Sequence, residues 1–189
     1  MQILYTLRHV KSFLGVYPSD LIPHSITRSG CLILNTDPHN LEGSHWLAIR
    51  LMPKAHSAYY FDSYGLPPDI PSILSFLRHN CTVWNYNRVQ LQGLTSTVCG
   101  KYCCLFALYT DRGFTPKQFV ALFDAGGGKA DSQISAMFAS EFGSLRNDKC
   151  GGQCCTDFYK RLVFQRTSFI LQLHSHHDGS RNRLRDTGR

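Results

Sequence analysis

At 189 residues the chain is long enough for one domain with a real core and too short for two full ones. Hydrophobic residues at 43% and aromatics at 12% exclude a disordered chain, and no apolar run reaches the length of a membrane span, which predicts a soluble protein. The net charge of +7 is unevenly placed: residues 1–143 carry 11 Lys/Arg against 9 Asp/Glu, and residues 144–189 carry 9 against 4, so the body is nearly neutral and the last quarter basic.

The opening MQILYTLRHVKSFLG has no charged segment followed by an apolar stretch and a small-residue cleavage site, so it is not read as a signal peptide. GCLILNTD (30–37) and HWLAIRLM (45–52) are short apolar runs bounded by Gly, Asp and Pro, and are expected to be strands. AYYFDSYG (58–65) is a third, stopped by the turn signal GLPPD. In DIPSILSFLRHN (69–80), Ile70, Ile73, Leu74 and Leu77 recur at helical spacing. CTVWNYNRVQL (81–91) alternates as a fourth strand. From Cys99 to Tyr109 the pattern turns helical and ends by Gly113. Thr115 is a candidate N-cap with Pro116 behind it, opening a helix over PKQFVALF. GGGK (126–129) reads as a loop, and Asp131 or Ser132 as the cap of ISAMFASEF. LRNDKCGGQCCTD is expected to be a loop, and FYKRLVFQRTSFILQL to be structured, of undecided type. Strands first and helices later give an α+β class, with the Cys99 helix through the middle. This divides the chain into a domain over 1–143, an extension over 144–173 and a basic, disordered tail over 174–189.

Eight cysteines pose the next question. The adjacent pairs Cys103–Cys104 and Cys154–Cys155 argue against a secreted disulfide framework, which leaves a reducing compartment and free thiols. Cys-Gly-x-x-Cys-Cys occurs at 99–104 and again at 150–155, and six pooled thiols raise a zinc reading. The spacing differs from that of zinc knuckles, and the first copy lies on a helix of core residues, so no metal site is expected.

A cysteine nucleophile needs a base, a group that orients the base, and donors for an oxyanion. Cys99 begins a helix, where unpaired N–H groups and the dipole favour a thiolate. Cys103 and Cys104 lie one turn further in and are expected to pack. Among nine histidines, His174, His176 and His177 sit in the polar tail and His39 in a Pro/Asn loop, whereas His45 opens a strand. Asp62 ends the following strand, and the end of a hairpin's second strand lies beside the start of its first, so Asp62 can orient His45. Gln92, ahead of Gly93 and the small-residue loop to Cys99, can offer its amide to an oxyanion beside the Cys99 N–H. Each residue alone also has an ordinary structural reading: a satisfied strand histidine, a turn aspartate, a surface glutamine. Their order and their elements make the combined case.

GSHWLAIRL, YYFDSYGLPP and QGLTSTVCGKYCCLF resemble the adenovirus endopeptidase (adenain) family of cysteine proteases, and most resemble the adenain-like proteases of Maverick/Polinton elements and adenovirus-like genomes. His-Trp, an acidic residue 17 positions after the His, Gln-Gly, and Cys-Gly seven positions after that Gln match in order and spacing. FLGVYPSDLIP and GCLILNT resemble the family's N-terminal segment, beside which the N-terminus looks short by part of a helix, and the likeness runs from about Phe13 to Gly143. Family members usually carry Glu where Asp62 stands; the related SUMO deconjugases use Asp. The resemblance implies a papain-like fold of the adenain and ubiquitin-like-protease type, a mixed sheet with a central helix carrying the nucleophile. It further implies a triad of His45, Asp62 and Cys99 with Gln92 in the oxyanion hole, and cleavage after Gly.

The implied function is a cysteine endopeptidase that processes capsid and core precursors of a virus or virus-like element. It would work as a monomer in the host nucleus or cytoplasm and in the particle, with no membrane role. A SUMO-type deconjugase is the alternative within the same protease clan, and an inactive zinc- or DNA-binding module the alternative outside it. No cofactor is required for the chemistry. The family does imply DNA as a stimulator, for which residues 144–189 offer a basic surface. It also implies an activating peptide disulfide-linked at Cys81, which stands 11 residues before Gln92.

Overall fold

The computed structural model describes residues 2–123 and 128–143. The second Cys-Gly-x-x-Cys-Cys motif, the 144–173 extension and the basic tail lie outside the described residues. In chain order the elements are α1 (Gln2–Leu7), β1 (Phe13–Tyr17), β2 (Gly30–Asn35), β3 (Trp46–Met52), a 3-10 turn (Pro53–Ala55), β4 (Ser57–Phe61), α2 (Pro71–Asn80), β5 (Val83–Tyr86), α3 (Cys99–Asp111), α4 (Pro116–Val120) and α5 (Gly128–Phe142). The class is α+β. Five strands form one mixed sheet in the order β1-β2-β3-β4-β5, antiparallel across β2-β3-β4 and parallel at both edges.

Successive strand side chains leave opposite faces of a sheet, and here both faces are covered. Cys31, Ile33, Ala48, Tyr59 and Phe61 point to one side, where they meet α3, α4 and α5. Leu32, Leu34, Leu47, Ile49, Leu51, Ala58 and Tyr60 point to the other, against Ile73, Phe76 and Leu77 of α2. This explains why β2 and β3 read as continuous apolar runs. Helix α3 is covered nearly all round: Cys99, Tyr102, Thr110 and every residue from Cys103 to Ala107 are buried. It is fixed to the sheet by aromatic packing, with Phe61 stacked on Phe106 at 4.6 Å and Phe119 edge-on to both at 5.5 Å. The residue after Phe61 is Asp62, so this packing sets the height of α3 against the end of β4.

Several elements differ from the sequence expectation. β1 is a strand that carries no alternation to announce it: all five residues are half-buried, and the pairing with β2 slips at Gly15, whose φ is +134°. The third expected strand stops at Phe61, because Asp62 to Gly65 forms a turn closed by a Gly65 N–H to Asp62 O bond of 2.8 Å. The fourth covers only Val83–Tyr86, which among the described residues pairs with β4 alone. The Thr115 capping box forms, but α4 ends at Val120. α5 starts at Gly128, so neither Asp131 nor Ser132 is its cap; Asp131 falls in its first turn, and Lys129 is already helical where a loop was expected. Among the described residues, no helix is long and apolar enough to cross a membrane.

Candidate active site

Three segments meet at one end of the sheet. The first is the entry to β3. Thr36 donates its N–H to His45 O at 3.0 Å, prolonging the β2–β3 ladder and delivering the histidine ahead of Trp46. The second is the 62–65 turn. Gly65 has φ +69°, and a Cβ there would come 2.6 Å from the Val89 carbonyl carbon, so glycine permits the close approach of the segment after β5. The third is the start of α3. A Cβ built on Gly100 would lie 3.5 Å from Trp46 Cδ1, which sets the residue after Cys99 against the residue after His45.

His45 Nε2 lies 2.7 Å from Asp62 Oδ1, with 0% and 2% of the two side chains exposed. An ionised carboxylate only accepts, so Nε2 carries the proton and Nδ1 is the basic nitrogen. The same Asp62 oxygen accepts the Tyr64 N–H at 2.9 Å, which fixes the carboxylate against rotation. The Tyr64 ring sits 4.9 Å from that of His45 and limits its swing. Asn87 secures the Asp62 backbone: it accepts the Asp62 N–H at 3.0 Å and donates its amide to Asp62 O at 2.5 Å. Cys99 is 1% exposed and begins α3, at the positive end of the helix dipole.

Gln92 is fully buried. Its Oε1 accepts from Ser63 Oγ at 2.7 Å, and its Nε2 donates to Ser96 O at 2.7 Å and reaches Tyr64 Oη at 3.3 Å. The Leu91 and Gln92 N–H groups both donate to Ser63 O, so the turn that carries Asp62 also seats the loop that carries Gln92. The structure therefore joins His45 to Asp62 directly, and Gln92 to that turn through Ser63 and Tyr64.

The other thiols differ in kind. Burial pushes Cys103 and Cys104 well up, with neighbouring thiols adding to the effect, and raises Cys31 to about 12. All three are core side chains, Cys31 from β2 and Cys103 and Cys104 from α3, packed between the sheet and that helix. Cys81 caps the C-terminus of α2 just before β5, is 7% exposed, and has its thiol raised by burial. Among the described residues, no group of three or more His, Cys, Asp or Glu is placed to hold a metal ion.

Sequence reasoning missed Tyr64, Ser63 and Asn87. The first two sit in the quoted YYFDSYG run, where a turn signal hides their hydrogen bonds. Asn87 lies 25 residues from its partner, and nothing local points to the contact.

Chemically, the arrangement can take a proton from a thiol onto a carboxylate-oriented imidazole and return it to a leaving group, at a helix start that favours negative charge.

No protein-family model matches the chain. The protease of human adenovirus A serotype 12 is 29% identical over 110 residues, covering 50% of this chain and 53% of that protein. The protease of bovine adenovirus 2 is 32% identical over 88 residues, covering 40% and 43%. That of bovine adenovirus B serotype 3 is 28% identical over 120 residues, covering 55% and 58%. Among solved structures, the ASFV protease is similar with a TM-score of 0.45 at 17% identity, covering 64% of this chain and 45% of that one. The chain spans about half the length of the curated relatives it matches. Over that shared half the chain is similar in sequence to the adenovirus proteases.

Proposed function

We propose that the protein is a cysteine endopeptidase that processes structural precursors of a virus or virus-like element. Cys99 is the nucleophile. His45 Nδ1 takes the thiol proton and later returns one to the leaving amine, and Asp62 holds the ring through Nε2. Gln92 has two amide protons. The Ser96 carbonyl takes one, and the other, loosely held at 3.3 Å by Tyr64, turns to the oxyanion beside the Cys99 N–H. The observation that carries this reading is the buried 2.7 Å contact of His45 with Asp62, one residue before the Trp46 that abuts Gly100.

Cleavage at Gly-containing sites is supported by the burial: with 1% of Cys99 exposed, the approach to the thiol is narrow and favours a backbone without a side chain. The similarity to adenovirus proteases supports a precursor-processing role over deconjugation. An activating peptide would lie along the edge of β5 that faces away from β4, unpaired among the described residues, with its disulfide at Cys81, whose 7% exposure requires the α2–β5 junction to open first. DNA would be held by the basic residues beyond 143, with a salt dependence set by counterion release.

The test is hydrolysis of Gly-Gly-containing peptides by the wild type and by Cys99→Ala. Activity that survives in Cys99→Ala sinks the assignment, and cleavage confined to ubiquitin-like C-terminal tails would turn the reading to a deconjugase.

A further inference from the structure

The loop from Gln92 to Val98 delivers both the oxyanion amide and the nucleophile, yet it has no regular structure of its own. One of its ties comes from far along the chain. Asp131, in the first turn of α5, accepts the Gly93 N–H on Oδ2 at 2.9 Å, across 38 residues. Its other oxygen lies 3.3 Å from Tyr102 Oη, one turn into the nucleophile helix. Tyr102 Oη is also 3.4 Å from the Leu91 carbonyl, so its single proton is shared between the loop and Asp131. Burial first, and then the Asp131 charge, push the Tyr102 phenol up, so it remains a donor.

The neighbours of Asp131 explain why the carboxylate is held there. Ala130 is 1% exposed and Ile134 0%, so α5 is rooted on either side of it, and Lys101 Nζ donates to Ser135 Oγ at 3.2 Å one turn on. A first-turn acid that served only its own helix would face its own N–H groups. This one is turned outward to another element. With the Gly93 N–H committed to Asp131, the peptide plane between Gln92 and Gly93 is fixed, and with it the direction in which the Gln92 side chain departs.

We propose that Asp131 is a positioning residue that fastens the Gln92 loop to the nucleophile helix, so that docking of α5 sets the oxyanion site. The proposal rests on the peptidase reading, but its primary test does not. In the full chain, Asp131→Ala should speed hydrogen exchange of the Gly93 amide by about 10- to 100-fold, the loss of one bond to a charged acceptor, while amides of Cys103 to Ala107 stay protected. On a Gly-Gly peptide, kcat should fall roughly tenfold or more with KM within about twofold, the signature of an interaction felt in the transition state. Asp131→Asn should restore both, because its oxygen can accept from Gly93 while its amide donates to Tyr102 Oη and frees the phenol proton for Leu91 O. If Asp131→Ala fails to fold, Asp131→Glu serves: its extra methylene displaces the carboxylate and should lower kcat and Gly93 protection in a folded protein.

Unchanged Gly93 exchange in Asp131→Ala or Asp131→Glu overturns the proposal, as does an Asn variant no better than Ala. So does a loss of stability with kcat per folded molecule intact. A wild type that hydrolyses no peptide would overturn the peptidase reading instead, and Gly93 exchange would still decide the role of Asp131.

Discussion

Asn87→Ala removes the clamp on Asp62 without touching any group that meets substrate. The Asn87 side chain is 3% exposed and Asp62 2%, and the pair exchanges two hydrogen bonds between the Asn amide and the Asp62 backbone. Truncation strands the buried Asp62 N–H, while the Asp62 C=O loses one of its two donors and keeps the Gly65 N–H. One unsatisfied buried group costs about 1–3 kcal/mol, and a water drawn into the small void recovers part of it, so the expected loss of stability is about 1–2 kcal/mol. The catalytic effect comes through geometry. Asp62 Oδ1 would no longer be held at His45 Nε2, and kcat/KM should fall about 10- to 100-fold, less than the roughly 10⁴ lost when the orienting carboxylate of a triad is replaced. Asn87→Asp should be worse, since an oxygen then faces the Asp62 carbonyl where an N–H₂ stood. Urea unfolding followed by linear extrapolation gives the first number, and initial rates at a urea-free temperature where the variant is folded give the second. A variant with an unchanged unfolding midpoint, or a folded one with wild-type kcat/KM, would refute the clamp.

Cys103→Ala should lower stability by roughly 1 kcal/mol or more through lost packing while the folded fraction keeps its activity, whereas Cys99→Ala should keep the fold and lose hydrolysis; melting and rate measurements on the pair separate the two thiols. Gln92→Ala should reduce kcat by about 10²- to 10³-fold, the cost of one oxyanion donor, with KM nearly unchanged. Hydrogen bonds from Arg112 hold the Glu141 carboxyl below its ordinary range. The stability they add is therefore fully present above the usual Glu pKa of about 4.3 and is lost as pH falls through the depressed value in the folded protein. Arg112 is 48% exposed, so the contribution is small, and Glu141→Gln should lower Tm by about 1–2 °C at pH 7 and by less in acid.

The spacing of His45 and Asp62 was legible because hairpin geometry is local: two strands and one turn determine which residues face each other at the open end. The burial of Cys103 and Cys104 was legible for a similar reason, since helical periodicity alone puts them on the apolar side. β1 was not legible. Its five half-buried residues include a glycine at a register slip and pair in parallel, so the sequence shows neither alternation nor a continuous apolar run. β5 ends short of the expected strand because Asn87 leaves the ladder to bond with Asp62, a contact that only the folded chain supplies. Asp131 shows the same limit more sharply. A short acidic residue ahead of an apolar helix reads as a cap, yet α5 begins at Gly128 and the carboxylate serves a loop 38 residues away. Long-range polar contacts leave no trace in local pattern, and here they surround the site.

The central claim is that one thiol among several is activated, by His45 and by its place at a helix start. It is tested most directly by treating the native protein at neutral pH with a cysteine-protease activity probe and mapping the adduct by mass spectrometry. The account predicts rapid labelling of Cys99, abolished in His45→Ala, with Cys31, Cys103 and Cys104 unlabelled because burial pushes their thiols up and leaves little thiolate to react. Labelling that favours another cysteine, or that persists at full rate in His45→Ala, would contradict it.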